Sequence, residues 1–247
     1  MCDQDYWSAD PGPIELSEKE VHIWRVTLES EPKVIERLSS LLSADEKARA
    51  ERFYFERDRS HFLVARGVLR ELLGRYLGNH PSEIRIEHGP YGKPYIRKES
   101  YPVLLRFNVS HSHGLALFAF AIDREVGVDV EKVRQDFGGE GVAESHFAPD
   151  EVDELRTVTP ALRPEGFFLC WTRKEAYVKA RGEGLQVPLK SFCVSLTPGE
   201  PARLEAEDSG RWSLISLRPA PGFVGAAVAE GLNWLPRFWQ WKPPESQ

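Results

Sequence analysis

The chain has 247 residues, of which 41% are hydrophobic and 28% charged, and its formal net charge is −6. This composition is typical of a globular protein with one large domain or two small ones, and it excludes collagen-like and disordered classes. The negative net charge argues against non-specific binding of nucleic acid. Three scattered cysteines form no CxxC pair and no disulfide framework, which fits a reducing compartment.

The sequence contains no recognisable export or membrane signal. Residues 1–13 include acids and prolines but no apolar segment of the kind found in signal peptides. The longest apolar run, residues 115–122, is too short to span a bilayer. We therefore expect a cytoplasmic protein that does not contact a membrane.

The first half of the chain predicts a loose tail followed by a strand and helices. Residues 1–13 are expected to be a flexible tail, and the alternation over 21–28 predicts a strand. Ser43, with Glu46 three residues later, predicts a capping box at the start of a helix. Apolar spacing over 57–77 predicts a longer helix.

Three strands are predicted in the middle of the chain. They cover residues 107–110, 115–122 and 126–131, and the second is apolar on both faces, which is typical of a central strand. The polar turn 123–125 joins the second strand to the third. This short connection predicts that the two strands form a hairpin.

The second half repeats the order of helices followed by strands. Helices are predicted at 149–157 and from 164 to about 180, followed by strands at 192–196, 212–217 and 223–229. The predicted fold class is therefore α+β with two lobes. The expected boundaries are 1–13 for the tail, 14–124 and 125–233 for the lobes, and 234–247 for an aromatic terminal segment. That segment is expected to pack across the body, with a partner contact as the alternative.

Two acidic patterns carry the strongest chemical signal. Asp129 and Glu131 lie two residues apart in a valine-rich run, so both carboxylates point to one face of a strand. Glu175 and Lys179 lie four residues apart and share a helix face, which Trp171 anchors to the core. Three carboxylates and a lysine suit a hard metal ion that handles phosphates. Each pattern alone also fits a solvated surface.

Other segments contain candidate phosphate ligands. Ser110 and His111 follow a strand and can bond phosphate oxygens, or the segment can be a turn whose serines cap the backbone. Lys93, between a glycine and a proline, offers a point charge. Arg49 belongs to a basic stretch that indicates an anionic partner, although any single arginine there fits a solvated helix face.

Four segments together resemble the Sfp-type 4′-phosphopantetheinyl transferase superfamily. They are Gly92-Lys93-Pro94, Asn108-Val109-Ser110-His111-Ser112, Gly127-Val128-Asp129-Val130-Glu131-Lys132, and Trp171-Thr172-Arg173-Lys174-Glu175-Ala176-Tyr177-Val178-Lys179. The resemblance implies two similar, pseudo-duplicated α+β lobes with the active site in the cleft between them. It also implies a reaction, in which the 4′-phosphopantetheine arm of coenzyme A moves to a serine of an apo carrier protein and adenosine 3′,5′-bisphosphate leaves.

The same resemblance implies roles for individual residues. Asp129, Glu131 and Glu175 would hold Mg²⁺, or Mn²⁺, against the pyrophosphate, and Lys179 would contact the same phosphates. Glu175 and Lys179 are the expected catalytic residues, with Glu175 as the hypothetical base. The coenzyme A-binding set would be Arg49, Lys93, Ser110, His111, Asp129, Glu175 and Lys179. Glu46 stands where some relatives have a lysine, which would weaken 3′-phosphate binding or shift it to Lys47 or Arg52.

The expected partners are coenzyme A and an apo acyl, peptidyl or polyketide carrier protein, and the expected state is a monomer. Two other functions remain open from the sequence. A metal-dependent phosphohydrolase would use the same carboxylates with water as the nucleophile. A non-catalytic coenzyme A-binding protein would have kept the cleft without turnover.

Overall fold

The chain folds into two sheets, each covered by helices. The computed structural model describes residues 6–97, 101, 103–136 and 139–244. The strands are β1 (Ser8–Ala9), β2 (Glu20–Thr27), β3 (Glu87–His88), β4 (Pro94–Tyr95), β5 (Leu105–Ser112), β6 (Leu115–Ile122), β7 (Val126–Lys132), β8 (Cys193–Val194), β9 (Leu204–Glu205), β10 (Trp212–Leu217), β11 (Phe223–Glu230) and β12 (Leu235–Gln240). The helices are α1 (Pro32–Ser40), α2 (Ala44–Ala50), α3 (Glu56–Leu77), α4 (Glu140–His146), α5 (Pro149–Thr157) and α6 (Arg163–Arg181).

The N-terminal lobe is a five-stranded sheet with helices on one face. Its strand order is β1-β12-β2-β6-β5, with β2, β6 and β5 antiparallel and β12 parallel to β2. One face packs against α1 and α3 through a core that includes Trp24, Leu72 and Phe118. A side chain at Gly67 of α3 would meet Leu38 of α1 at 2.5 Å, so this glycine permits the close approach of the two helices.

The C-terminal lobe is a three-stranded antiparallel sheet, ordered β10-β11-β7, with α6 on one face. Its other face packs against the five-stranded sheet through small and branched residues such as Ile23, Leu117, Val128 and Ala227. The molecule therefore has four layers, helices outside and two sheets inside. This arrangement confirms the predicted α+β class with two lobes.

Most predicted elements are found close to their predicted positions. Ser43 and Glu46 form the predicted capping box of α2, and Gly78, at φ +69°, ends α3. The predicted hairpin between residues 115–122 and 126–131 is wrong. Strand β6 is paired on both edges, with β2 and β5, so β7 cannot join it and pairs with β11 of the other sheet instead.

Both ends of the chain contribute to the N-terminal sheet. Residues 1–5 of the predicted tail lie outside the described residues, and Ser8 and Ala9 form β1, which pairs with β12. Strand β12 contains most of the aromatic terminal segment and pairs with β2, while Trp241, just beyond it, is buried in the N-terminal core. The terminal segment thus packs across the body, and it belongs to the sheet of the first lobe.

A buried histidine makes the stability of the N-terminal lobe depend on pH. The Nδ1 atom of His22 lies 2.9 Å from the hydroxyl of Tyr76, which also accepts a bond from Trp24. Burial lowers the pKa of His22 to about 4, opposed by the charge of Glu20 and assisted by that of Arg237. The neutral ring is therefore favoured in the folded state. Its contribution is complete above the unfolded pKa of 6.5 and is lost as the pH falls toward 4.

Replacing His22 by glutamine should remove this pH dependence. From the two pKa values, the wild-type protein should lose about 2 kcal/mol more unfolding free energy than His22→Gln between pH 7 and pH 5. Urea unfolding of both proteins at the two pH values measures the difference. An equal loss in both proteins would exclude His22 as the titrating group.

Candidate active site

A glycine allows strand β7 to lie directly against helix α6. A Cβ atom at Gly127 would be 2.1 Å from the carbonyl oxygen of Ala176 and 2.4 Å from the nitrogen of Ala180. The alternating valines of β7 face the core between the sheets. Asp129 is on the opposite face and is 4% exposed. The close approach therefore brings Asp129 within reach of the polar face of α6. The spacing in the sequence predicts only that Asp129 and Glu131 share one face of the strand.

Lys179 and Ser110 converge on one oxygen of Asp129. The Lys179 ammonium donates to Asp129 Oδ1 at 2.6 Å and to Ser110 Oγ at 3.1 Å, and the Ser110 hydroxyl donates to the same Oδ1 at 2.7 Å. Lys179 comes from α6, Asp129 from β7 and Ser110 from β5 of the other lobe. This cluster therefore joins the two lobes through charged and polar groups.

The second oxygen of Asp129 has a different environment. Asp129 Oδ2 is buried and has no hydrogen-bond partner among the described residues. Burying an anionic oxygen without a partner costs free energy. A cation bound at this oxygen would offset that cost. The carboxylate chemistry thus fits a hard metal ion such as Mg²⁺.

The other two predicted ligands, Glu131 and Glu175, lie near other carboxylates. Burial raises the pKa of Glu131, and the charge of Asp129 adds to the rise, while a hydrogen bond from Ser112 opposes it. Burial also raises the pKa of Glu175, and the charges of Asp129 and Glu131 add to it, against Lys179. The three carboxylates are close enough to repel each other. A divalent cation would relieve this repulsion.

In the described part of the chain, no group of three or more His, Cys, Asp and Glu side chains is arranged to hold a metal ion. The Lys179 ammonium is bonded to Asp129 Oδ1, and Ser112 is bonded to Glu131 Oε2. No described residue donates a hydrogen bond to Glu175. The ligand set Asp129, Glu131 and Glu175 remains a prediction.

A large, mainly cationic cleft adjoins this cluster. Its volume is about 870 Å³, and it lies between α2, α3 and the end of β5. The lining residues are Leu28, Glu29, Arg49, Phe53, Arg57, Asp58, His61, Phe62, Ala65, Arg66, Leu69, Pro94, Val109, His111, His113, Gly114 and Lys132. Arg49 lies over the ring of Phe62, with 5.3 Å from its guanidinium carbon to the ring centre, and makes no ion pair with a described residue. Burial and the charge of Lys179 lower the pKa of His111.

Lys93 does not line this cleft, although its neighbour Pro94 does. Its ammonium donates to Glu125 Oε2 at 2.9 Å and to the carbonyl oxygen of Ala180 at 3.1 Å, near the end of α6. Burial lowers the pKa of Lys93. The side chain thus binds the end of α6, and its predicted role in coenzyme A binding remains a prediction.

Arg66 belongs to the same basic stretch as Arg49 and also lines the cleft, whereas His113 and Lys132 line it without having been predicted to do so. Arg66 is in the cleft because Glu46 holds it, accepting from Arg66 and from Arg70 at 2.5 Å each. Burial raises the pKa of Glu46, but these arginines lower it overall. Neither Lys47 nor Arg52 lines the cleft. The contact between Arg66 and Glu46 could not be predicted from their spacing in the sequence, because it depends on how α2 packs on α3.

Two sequence models of one enzyme family match consecutive parts of the chain. The model of the 4′-phosphopantetheinyl transferase N-terminal region matches residues 27–122, and that of the 4′-phosphopantetheinyl transferase superfamily matches 125–228. The 4′-phosphopantetheinyl transferase HetI of Nostoc sp. (strain PCC 7120 / SAG 25.82 / UTEX 2576) is 38% identical over 238 residues, covering 96% of this chain and 99% of the relative. The chain belongs to the 4′-phosphopantetheinyl transferase superfamily. The resemblance seen in the sequence is confirmed.

Other relatives agree with this assignment. The 4′-phosphopantetheinyl transferase Sfp of Bacillus subtilis (strain 168) is 30% identical over 197 residues, covering 78% of this chain and 84% of the relative. The solved Chronobacterium ammoniagenes ACPS-CoA complex covers 43% of this chain and 95% of its own at 18% identity and a TM-score of 0.33, a likeness too weak to support an argument. The two matched regions of this superfamily member meet at the turn between β6 and β7, where the chain passes from one sheet to the other.

Gly127→Ala tests whether the contact between β7 and α6 builds the site. The added methyl group would collide with the helix backbone, so we expect a loss of roughly 3 kcal/mol in unfolding free energy, measured by urea denaturation. The matched control is Gly210→Ala, because a Cβ at Gly210 has no atom within 4 Å. Equal stability of the two variants would contradict the close approach.

Proposed function

We propose that this chain transfers the 4′-phosphopantetheine arm of coenzyme A to a serine of an apo acyl, peptidyl or polyketide carrier protein. The reaction depends on Mg²⁺ and releases adenosine 3′,5′-bisphosphate. Membership of the superfamily supports the reaction class. The observation that carries the metal-dependent form is the buried Oδ2 of Asp129. This oxygen has no hydrogen-bond partner among the described residues and lies near two further acidic side chains.

The charge of the cleft suits the substrate. Coenzyme A carries a phosphomonoester and a pyrophosphate, and the cleft presents Arg49, Arg57, Arg66 and Lys132 against Glu29 and Asp58. We assign Arg49 and His111 to the nucleotide part, in agreement with their position in the cleft. Lys179 lies beside Asp129, so it is assigned to the pyrophosphate. Ser110, which the resemblance places with the nucleotide part, donates to the same carboxylate and would reach either group.

Asp129, Glu131 and Glu175 would hold the metal ion. When bound, Mg²⁺ supplies positive charge that stabilises the departing phosphate and orients the pyrophosphate. Mn²⁺ has the same ligand preference. Lys179 supplies a second positive charge at the same place, which is the main requirement of phosphoryl transfer.

The carrier serine needs a proton acceptor. Its oxygen forms a bond to the phosphorus that bears the pantetheine arm, while the bond from that phosphorus to the bridging oxygen breaks and the bisphosphate takes the electron pair. We assign the serine proton to Glu175, a carboxylate on the helix face that also carries Lys179, because a side chain beside the pyrophosphate site can accept this proton directly or through a water molecule on the metal.

The partners and the cellular setting belong to the same proposal. The chain would act as a cytoplasmic monomer on coenzyme A and a carrier protein, without nucleic acid or membrane. No helix in the described ranges is both long and apolar enough to cross a bilayer. The alternatives from the sequence are distinguished by product. A phosphohydrolase would release bisphosphate without a carrier protein, and a non-catalytic binding protein would release none.

Mass spectrometry of apo carrier proteins incubated with coenzyme A and MgCl₂ tests the proposal. The expected result is a carrier mass increased by one phosphopantetheine arm, only when enzyme, coenzyme A and metal are all present. Glu175→Gln should lower kcat by about 10²–10⁴-fold, since it removes the acceptor. It should not reduce the melting temperature, because it also removes repulsion with Asp129 and Glu131.

The control for this variant is Glu165→Gln in the first turn of the same helix, where Glu165 pairs with Arg218 away from the cleft. It should retain the wild-type rate. A wild-type rate in Glu175→Gln would remove Glu175 from the mechanism, and bisphosphate release without a carrier would replace the transferase by a phosphohydrolase.

A further inference from the structure

Three polar side chains of β5 form a ladder onto β7, which belongs to the other sheet. Asn108, Ser110 and Ser112 alternate along β5 and are all buried. Asn108 Oδ1 accepts from the nitrogen of Val128 at 2.9 Å, and the two serine hydroxyls donate to Asp129 and Glu131 at 2.7 Å. We call these three residues the side-chain ladder.

The side-chain ladder replaces the backbone hydrogen bonds that adjacent strands normally share. Strands β5 and β7 are edge strands of different sheets and are not paired through their backbones. The backbone nitrogens of Val128 and Lys132 are instead satisfied by Asn108 Oδ1 and by Ser112 Oγ, the latter at 3.3 Å. Side chains of β5 therefore connect the two strands, and they fix the two acidic side chains of β7.

Ser112 is the last member of the side-chain ladder and makes three contacts. Its hydroxyl donates to Glu131 Oε2, accepts from the nitrogen of Lys132, and lies 3.0 Å from Nδ1 of His113. A hydroxyl has only one proton, and here it is used on Glu131. His113 Nδ1 must therefore be the donor to Ser112. The bonds from Lys132 and His113 occupy the acceptor side of the Ser112 hydroxyl, so its single proton is directed at Glu131.

The carboxylate of Glu131 needs a hydrogen-bond donor to fix its orientation. It is near the end of β7, and the charges of Asp129 and Glu175 repel it. Ser112 is the described residue that bonds its carboxylate, through Oε2, and Oε1 keeps its capacity to bind a cation. Without Ser112, repulsion favours rotamers that move the Glu131 carboxylate away from Asp129.

We propose that Ser112 is a positioning residue that holds the carboxylate of Glu131 for the metal ion. The inference rests on the proposed function, since it assigns Glu131 to the metal. Ser112 touches neither the ion nor the substrate in this account. Partners that orient metal ligands contribute about 10–100-fold to metal affinity.

Calorimetric titration of the protein with MgCl₂ in the presence of coenzyme A tests this role independently of turnover. Ser112→Ala should weaken Mg²⁺ binding by about 10-fold or more, and Ser112→Thr, which keeps the hydroxyl, should restore affinity to within about threefold. Ser213→Ala is the matched control. It also removes a serine hydrogen bond of 2.7 Å, to the carbonyl oxygen of Gly231. Ser213 is near the start of β10, a strand that does not pair with β7.

The outcomes separate this inference from the proposed function. Wild-type Mg²⁺ affinity in Ser112→Ala, or the same loss in Ser213→Ala, would overturn the role of Ser112 while leaving the transferase intact. Absence of Mg²⁺ binding to the wild-type protein would also overturn it. A selective loss in Ser112→Ala together with no modification of any carrier by the wild-type protein would support the role of Ser112 and reject the transferase.

Discussion

The ion pair between Lys179 and Asp129 is the interaction on which the candidate site depends. It links α6 to β7, and the bond from Ser110 to the same oxygen extends the link to β5. Asp129 has only 6% of its side chain exposed, against 28% for Lys179. Such a pair adds little net stability, but removing either partner leaves a poorly solvated charge that costs several kcal/mol. The pair therefore specifies how the helix and the two strands meet.

The alternation of side chains along β5 separates two kinds of chemistry. Ser110 and Ser112 point toward the acidic side chains of β7, whereas Val109 and His111 line the cationic cleft. One strand thus divides an acidic region suited to a divalent cation from a basic region suited to phosphates. A substrate with phosphates at both ends of its nucleotide needs both regions at once. The edge position of β5 makes this possible, because β6 is its only paired neighbour among the described strands.

The sequence predicted the local structure well and the long-range structure less well. The face shared by Asp129 and Glu131 follows from the two-residue period of a strand, and the capping box of Ser43 follows from contacts three residues apart. The pairing of strands depends on residues far apart in the sequence. The short turn after β6 therefore suggested a hairpin with β7, although β2 and β5 occupy both edges of β6. The same limit hid the contact of Ser112 with Glu131 and the pairing of Arg66 with Glu46. Both depend on packing between elements.

We expect side chains from β7 and α6 to gather around one divalent cation at the boundary of the lobes. Anomalous diffraction from crystals grown with Mn²⁺ and coenzyme A would locate this ion. One manganese peak should contact Asp129, at the oxygen that has no hydrogen-bond partner among the described residues, and also Glu131 and Glu175. A peak at other residues, or those three carboxylates turned away from it, would show that the predicted ligand set is wrong.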